Sequence, residues 1–228
     1  VGLLLLTVRE PQRRGVREVA GQRPPLHENF RFLWAQRRVV VPLYAGFCLH
    51  YVAFVGISVW TAVFLTRTYQ ATLTDFSASL GLMLLLAGGG GYIAGGFFAD
   101  AAPMRSPGGL RMLLAILPLV ALPSALAGFA PSISVALMLL ATISFATPVM
   151  NVAMNATVQD LMPNRMRGFS YALLSVVTAL PAGAGGPQAI AFITEHVLGD
   201  PALVGRSFLI IGAPALLAAS LCFLMSRR

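Results

Sequence analysis

Residues 146–160 read "ATPVMNVAMNATVQD" and close one of the most apolar runs in the chain. Asn151 and Asn155 stand four apart there, with Thr147 before them and Gln159 after. At about 100° per residue, Ser144, Thr147, Asn151, Asn155 and Gln159 share roughly a third of a helix circumference. Amides are costly in hydrocarbon unless partnered, so this face must look at other helices or at water. One interhelical hydrogen bond, at about 0.6 kcal/mol, accounts for one Asn. Five polar positions on one face point to an aqueous cavity.

The rest of the chain explains why hydrocarbon is the relevant solvent. Of its 228 residues 57% are hydrophobic and only 11% charged, against about 25% charged in an average globular protein. Six charge-poor runs, at about 40–65, 76–99, 112–130, 134–159, 168–194 and 207–226, approach or exceed the roughly 20 residues that cross a bilayer core. They do not alternate in the manner of barrel strands. The expected fold is all-α, a polytopic transmembrane helical bundle. Ahead of it, "VGLLLLT" is too short to span and precedes its arginines, the reverse of a signal peptide. Residues 1–8 therefore read as the tail of a truncated helix, residues 9–39 as an Arg-rich central loop, and 40–228 as the six-helix bundle. Within the loop, Pro24-Pro25 precedes "LHENFRFLW", whose Leu26, Phe30, Leu33 and Trp34 recur at helical spacing. That segment reads either as an interfacial helix or as a flexible linker.

The chain has no lysine, and its arginines orient it. With the central loop and C-terminus placed inside, alternation leaves only Arg67 and Arg206 outside, in accord with the positive-inside rule. The net charge of +8 thus reports membrane topology and not nucleic-acid binding. Cys48 and Cys222 lie inside apolar spans, His27, His50 and His196 are scattered, and no HExxH or GxSxG occurs. Neither a metal, a cofactor nor an enzymatic constellation is expected.

The spans sort into three kinds. The second, "LLAGGGGYIAGGFFAD", repeats Ala87, Gly91, Gly95 and Ala99 every fourth residue, a small-residue face for close helix packing. Its formal G-x-G-x-x-A is no dinucleotide signature, because it sits in mid-membrane. The fifth, "ALPAGAGGPQAI", sets Pro181 and Pro187 around Gly183, Gly185 and Gly186, giving a kinked helix with further packing glycines. The third and sixth spans are apolar all round and suit lipid-facing positions. The first and fourth carry polar stripes: Tyr44, Phe47, Cys48, Tyr51, Val55 and Ser58 share one side of the first, with His50 near its middle. The fifth adds a weaker stripe of Tyr171, Ser175 and Thr178. No Asp or Glu lies at membrane depth, so His50 is the one midplane group that titrates near neutral pH.

"GGFFADAAPMR", with Gly96, Asp100 and Arg105, resembles the loop motif of the major facilitator superfamily, although Ala101 and Ala102 follow the Asp in place of a basic residue and glycine. "VQDLMPNRMRGFSYAL", with Gln159, Asp160, Pro163, Arg165 and Arg167, is similar to the corresponding loop of its spinster-like branch. The resemblance covers essentially the whole chain and implies the C-terminal six-helix half of a transporter, whose partners are the bilayer, the missing N-terminal half and a small solute. It implies a bacterial inner membrane, a cavity lined by the first helix of each three-helix repeat, and hence His50, Tyr51, Thr147, Asn151 and Asn155 as cavity residues. It further implies that Gly91, Gly95, Gly183 and Gly185 serve packing, and that Asp100, Asp160, Arg105, Arg165 and Arg167 form a cytoplasmic gating cluster. A small organic or amphipathic solute moved by alternating access is the expected function. A non-transporting membrane scaffold is the alternative.

Overall fold

The structure is a computed structural model that describes residues 26–101 and 108–226. A short helix, α1 (Leu26–Ala35), precedes six long ones: α2 (Arg37–Tyr69), α3 (Leu73–Asp100), α4 (Gly109–Phe129), α5 (Ile133–Leu161), α6 (Asn164–Leu198) and α7 (Pro201–Met225). All six are long and apolar enough to cross a membrane. Each includes the span expected from the sequence to within a residue at either end, and most extend past it by a turn or less. The tail at 1–8, the first part of the central loop, Arg105 and the arginines at 227 and 228 lie outside the described residues. Of the two readings for "LHENFRFLW", the structure shows the helix.

Local chemistry sets the ends. Asp75 accepts from the Thr72 backbone N–H at 2.8 Å and so closes the start of α3. Asp200 Oδ1 accepts from the Ala202 N–H at 2.8 Å at the start of α7. Gly199, at φ +66°, turns the chain out of α6, a left-handed conformation that favours glycine. Around Pro181 and again near its end, α6 widens into π-helical turns (Pro181–Gly185 and Ile193–Leu198). Pro181 has no N–H to offer the Val177 carbonyl one turn back, and the Cys48 thiol of α2 donates to it instead at 3.4 Å.

The packing interleaves two three-helix repeats, α2-α3-α4 and α5-α6-α7. The first helix of each packs on the second and third of the other: α5 against α3 and α4, α2 against α6 and α7. Glycine makes the closest crossings. A Cβ on Gly91 would stand 2.5 Å from the Phe145 carbonyl oxygen of α5, and one on Gly95 would stand 3.1 Å from Val149 Cα. Gly186 meets the Val52 carbonyl of α2 in the same way, and Gly128 of α4 meets Gly205 of α7. By contrast Gly183 and Gly185, expected to serve packing, have nothing within 4 Å of an added Cβ. The close approach on α6 belongs to Gly186, further round the helix. The third and sixth spans each bury one apolar face, with Leu114, Leu117, Leu216 and Phe223, and expose another, with Ile116, Leu119, Leu217 and Leu221. α3 buries the least of its length, leaving Leu85, Ile93 and Phe97 on an open face.

Gly91→Ala should lower stability by about 1–3 kcal/mol, because the obstacle is a backbone carbonyl and not a mobile side chain. Gly81→Ala, on the same helix but in open space, should leave it unchanged or raised. Thermal unfolding of detergent-solubilised protein measures both, and equal effects would refute the assigned crossing.

Candidate functional site

A cavity of about 400 Å³ opens between α2, α5 and α6. From α2 it is lined by Phe47, Tyr51 and Val55, from α5 by Asn151 and Asn155, and from α6 by Tyr171, Leu174, Ser175, Thr178, Ala179, Ala182 and Gly183. Spacings of three and four along each helix bring these side chains to one face. The Tyr51 hydroxyl donates to Asn151 Oδ1 at 2.8 Å, and the Tyr171 hydroxyl donates to the Asn155 carbonyl at 2.9 Å. The Asn155 side chain, exposed and with no hydrogen bond to the described residues, is left to face the opening. Phe47 packs its ring 4.8 Å from that of Tyr51 and Phe54 packs at 5.8 Å, so the Tyr51 hydroxyl is aimed by aromatic neighbours. The wall therefore alternates amide and hydroxyl groups with aromatic and aliphatic surface, a lining that suits a solute with both characters.

The sequence stripe on α5 breaks up into four surroundings. Ser144 sits at a separate recess of about 120 Å³ with Ser58 and Thr61. Thr147 is buried, Asn151 and Asn155 line the cavity, and Gln159 is exposed at the helix end. Thr147 and His50 are thus corrected: neither lines the cavity. His50 is fully enclosed, and its Nε2 stands 2.9 Å from Thr147 Oγ1. The Thr147 hydroxyl proton goes to the Ile143 carbonyl at 2.8 Å, so Thr147 accepts and His50 Nε2 donates. In the neutral ring this places the proton on Nε2 and leaves Nδ1 a buried acceptor without a partner among the described residues. His50–Thr147 is a clasp behind the wall on which Tyr51–Asn151 stands.

The α6 wall contains the stripe expected on the fifth span and extends it with Leu174, Ala179, Ala182 and Gly183. Tyr171, Ser175 and Thr178 follow helical spacing, and continuing that spacing one more turn reaches Ala182, which polarity alone does not flag. Gly183 lines this wall and meets no other helix among the described residues.

Among the described loop residues no charge cluster forms. Asp100 ends α3 exposed, Asp160 and Arg165 are exposed, and no salt bridge forms among the described residues. Arg167 instead donates Nη2 to the Gln159 carbonyl at 2.7 Å and Nε to the Met162 carbonyl at 3.2 Å, capping the end of α5. Gly96 faces open space, and Arg105 lies outside the described residues.

The family model of the Major Facilitator Superfamily matches residues 1–186. The chain belongs to this superfamily. It is accordingly an integral, multi-pass membrane protein with the fold of that family. Its structure is similar to a crystal structure of a bacterial homolog to the human lysosomal transporter Spinster, in an inward-facing and unoccupied conformation. The two share 23% identity and superpose with a TM-score of 0.64 over 99% of this chain and 57% of that one. The chain therefore spans little more than half the length of the transporter it matches. No curated protein matches the sequence.

Burial ranks the two interhelical contacts. Thr147→Val strands the His50 Nε2–H where water cannot reach, and should cost about 1–3 kcal/mol. Tyr51→Phe exchanges a cavity-lining hydrogen bond that water replaces, and should cost about 0.6 kcal/mol. Unfolding midpoints of the two variants check the order, and the reverse order would count against the enclosed clasp. Arg167→Gln should raise amide hydrogen exchange in the last turn of α5 and leave the middle of that helix unchanged.

Proposed function

We propose that this chain is the C-terminal six-helix half of a secondary transporter, and that its cavity carries half of the path for a small organic or amphipathic solute. The observation that carries this reading is the unpartnered side of the cavity. Tyr51, Asn151, Asn155 and Ser175 point into about 400 Å³ of space bounded on one side only by this chain. The exposed faces of α3 and α6, with open glycines at 88–90, 96, 183 and 185, flank it where a second six-helix half would dock. Family membership supports transport, and the solved transporter in an inward-facing state supports alternating access as the mechanism.

In this mechanism the chain acts as one rigid unit. The His50–Thr147 and Tyr51–Asn151 bonds tie α2 to α5, the first helices of the two repeats, so the cavity wall moves with the bundle. Asn155 and Ser175 are the free polar groups that would orient the polar end of the solute, while Phe47, Val55 and Leu174 receive its apolar part. We place the central loop and the C-terminus on the cytoplasmic side of a bacterial inner membrane, on the arginine distribution. Exposed and without a salt bridge among the described residues, Asp100, Asp160 and Arg165 are placed to pair with the other half as the cytoplasmic side closes. Exposed pairs contribute only about 0–1 kcal/mol each, so they bias closure and do not lock it.

Solute-protected labelling tests the reading. In full-length protein with Cys48→Ser and Cys222→Ser, a maleimide is reacted with Asn151→Cys and, as a lipid-facing control, Leu217→Cys. Amphipathic alkylamines, alkylcarboxylates and alkyl alcohols serve as a solute panel. A solute that binds the cavity at ten times its dissociation constant slows labelling at 151 about tenfold and leaves 217 unchanged. A scaffold predicts no protection at 151 by any of them.

A further inference from the structure

The cavity has a counterpart on the other side of the same helix seam. Along α6, Tyr171, Leu174, Ser175 and Thr178 lie on the side of the cavity, Leu174 and Thr178 buried within its wall. Leu173 and Val177 fall on the opposite side, where they line a groove of about 340 Å³ with Val41 and Ala45 of α2 and Phe30 and Trp34 of α1. α1 forms the roof of this groove, held by the edge of Phe30 on Phe169 at 5.1 Å. The walls are apolar. Among the described residues Arg37 is the cation in its lining: its guanidinium lies 5.3 Å from the centre of the Trp34 ring and donates Nη1 to the Trp34 carbonyl at 3.1 Å. Both contacts fix its position, while most of its five N–H donors remain for an anion. Arg31 and Arg38 are exposed nearby, and Glu28 is the one carboxylate on α1.

We propose that this groove binds an anionic phospholipid of the surrounding bilayer, one acyl chain lying against Val41, Leu173 and Val177 and the phosphate on Arg37. A free anion has no use for the apolar walls, and a neutral hydrocarbon has no use for the arginine held at their end. The setting fits. α1 is an amphipathic helix that exposes Leu26, Phe30 and Trp34, the apolar and aromatic anchors of a segment lying in the interface. Arginines at the end of a membrane span attract acidic headgroups, and an apolar slot beside them adds shape to the charge. The site lies across the seam from the solute cavity and does not depend on what that cavity carries. A lipid seated there would brace α1 against the mouth of α2 and α6, the helices that also wall the cavity.

The test uses full-length protein in phosphatidylcholine vesicles containing a minor fraction of either brominated phosphatidylglycerol or brominated phosphatidylcholine. Bromine quenches tryptophan on contact, and the part of the quenching that Trp34→Phe abolishes reports the groove. Phosphatidylglycerol should outcompete phosphatidylcholine there about fivefold, the factor that one interfacial arginine supplies. Arg37→Gln should bring that ratio close to one. Ala45→Phe, which fills the groove and keeps the charge, should lower quenching by both lipids and covers the case in which the Arg37 variant fails to fold. Three results would each overturn the proposal: equal quenching by the two lipids, an unchanged ratio in Arg37→Gln, or no quenching of Trp34. The last would mean that protein, such as residues 1–25 or another part of the full-length molecule, covers the groove.

Discussion

Helices in hydrocarbon gain nothing from hiding apolar side chains from one another, since lipid is as apolar as leucine, so this bundle is held by how closely its backbones approach. Three crossings show the principle: Gly91 against the Phe145 carbonyl, Gly186 against the Val52 carbonyl, and Gly128 against Gly205. Each joins a helix of one repeat to a helix of the other. They bring the axes near enough for dispersion contacts between side chains on either side to add up. The position of the cavity follows from them. With α3 drawn tightly onto α5 and α6 onto α2, the polar faces of α2, α5 and α6 are left looking into a common space.

Polar groups in this setting divide by whether they are spent or free. Ser144, Thr147, Thr157, Thr61 and Thr194 return their hydroxyl protons to carbonyls four residues back on their own helices, and what two of them have left is taken by His50 at Thr147 and by Ser207 at Thr194. Trp60 donates to the Pro187 carbonyl across the α2–α6 crossing at 3.0 Å, and Ser220 of α7 to the Ala115 carbonyl of α4 at 2.7 Å. What remains around the cavity is a small set: the side chains of Asn155 and Ser175, the Thr178 hydroxyl, which has no partner among the described residues, and the Tyr51–Asn151 pair, which has acceptor capacity to spare. A wall with few free polar groups on a rigid frame is selective through placement more than through number.

The spans, their order and the small-residue face of α3 were legible in the sequence because hydropathy and glycine spacing are one-dimensional signals. The cavity was half legible. Tyr51, Asn151 and Asn155 followed from the polar stripes, whereas Thr147 lies only about 40° from Asn151 on the helix and yet faces His50. Periodicity gives an angle but not the neighbour at that angle, and α2 crosses α5 at the level of Thr147, closing that part of the stripe. His50 misled for a related reason: a histidine in a span signals an expense, and enclosure behind a threonine meets that expense as well as a cavity would. Gly183 and Gly186 are indistinguishable by residue type, and only the crossing of α2 selects Gly186. The loop charges carried no structural signal beyond proximity in sequence, and Arg167 found carbonyls closer than any carboxylate.

The bond between the Cys48 thiol and the Val177 carbonyl exists because Pro181 cannot donate. Residues 48 and 181 therefore bear on the same carbonyl, and substitutions at the two act on stability together and not independently. A chain that loses Pro181 regains the helical partner for that carbonyl and leaves position 48 free to drift toward alanine or valine. A chain that loses the thiol first strands a carbonyl in hydrocarbon until 181 changes or a hydroxyl takes its place. Changing 181 before 48 is thus the milder order for this chain, and serine at position 48, which keeps a donor, eases the other.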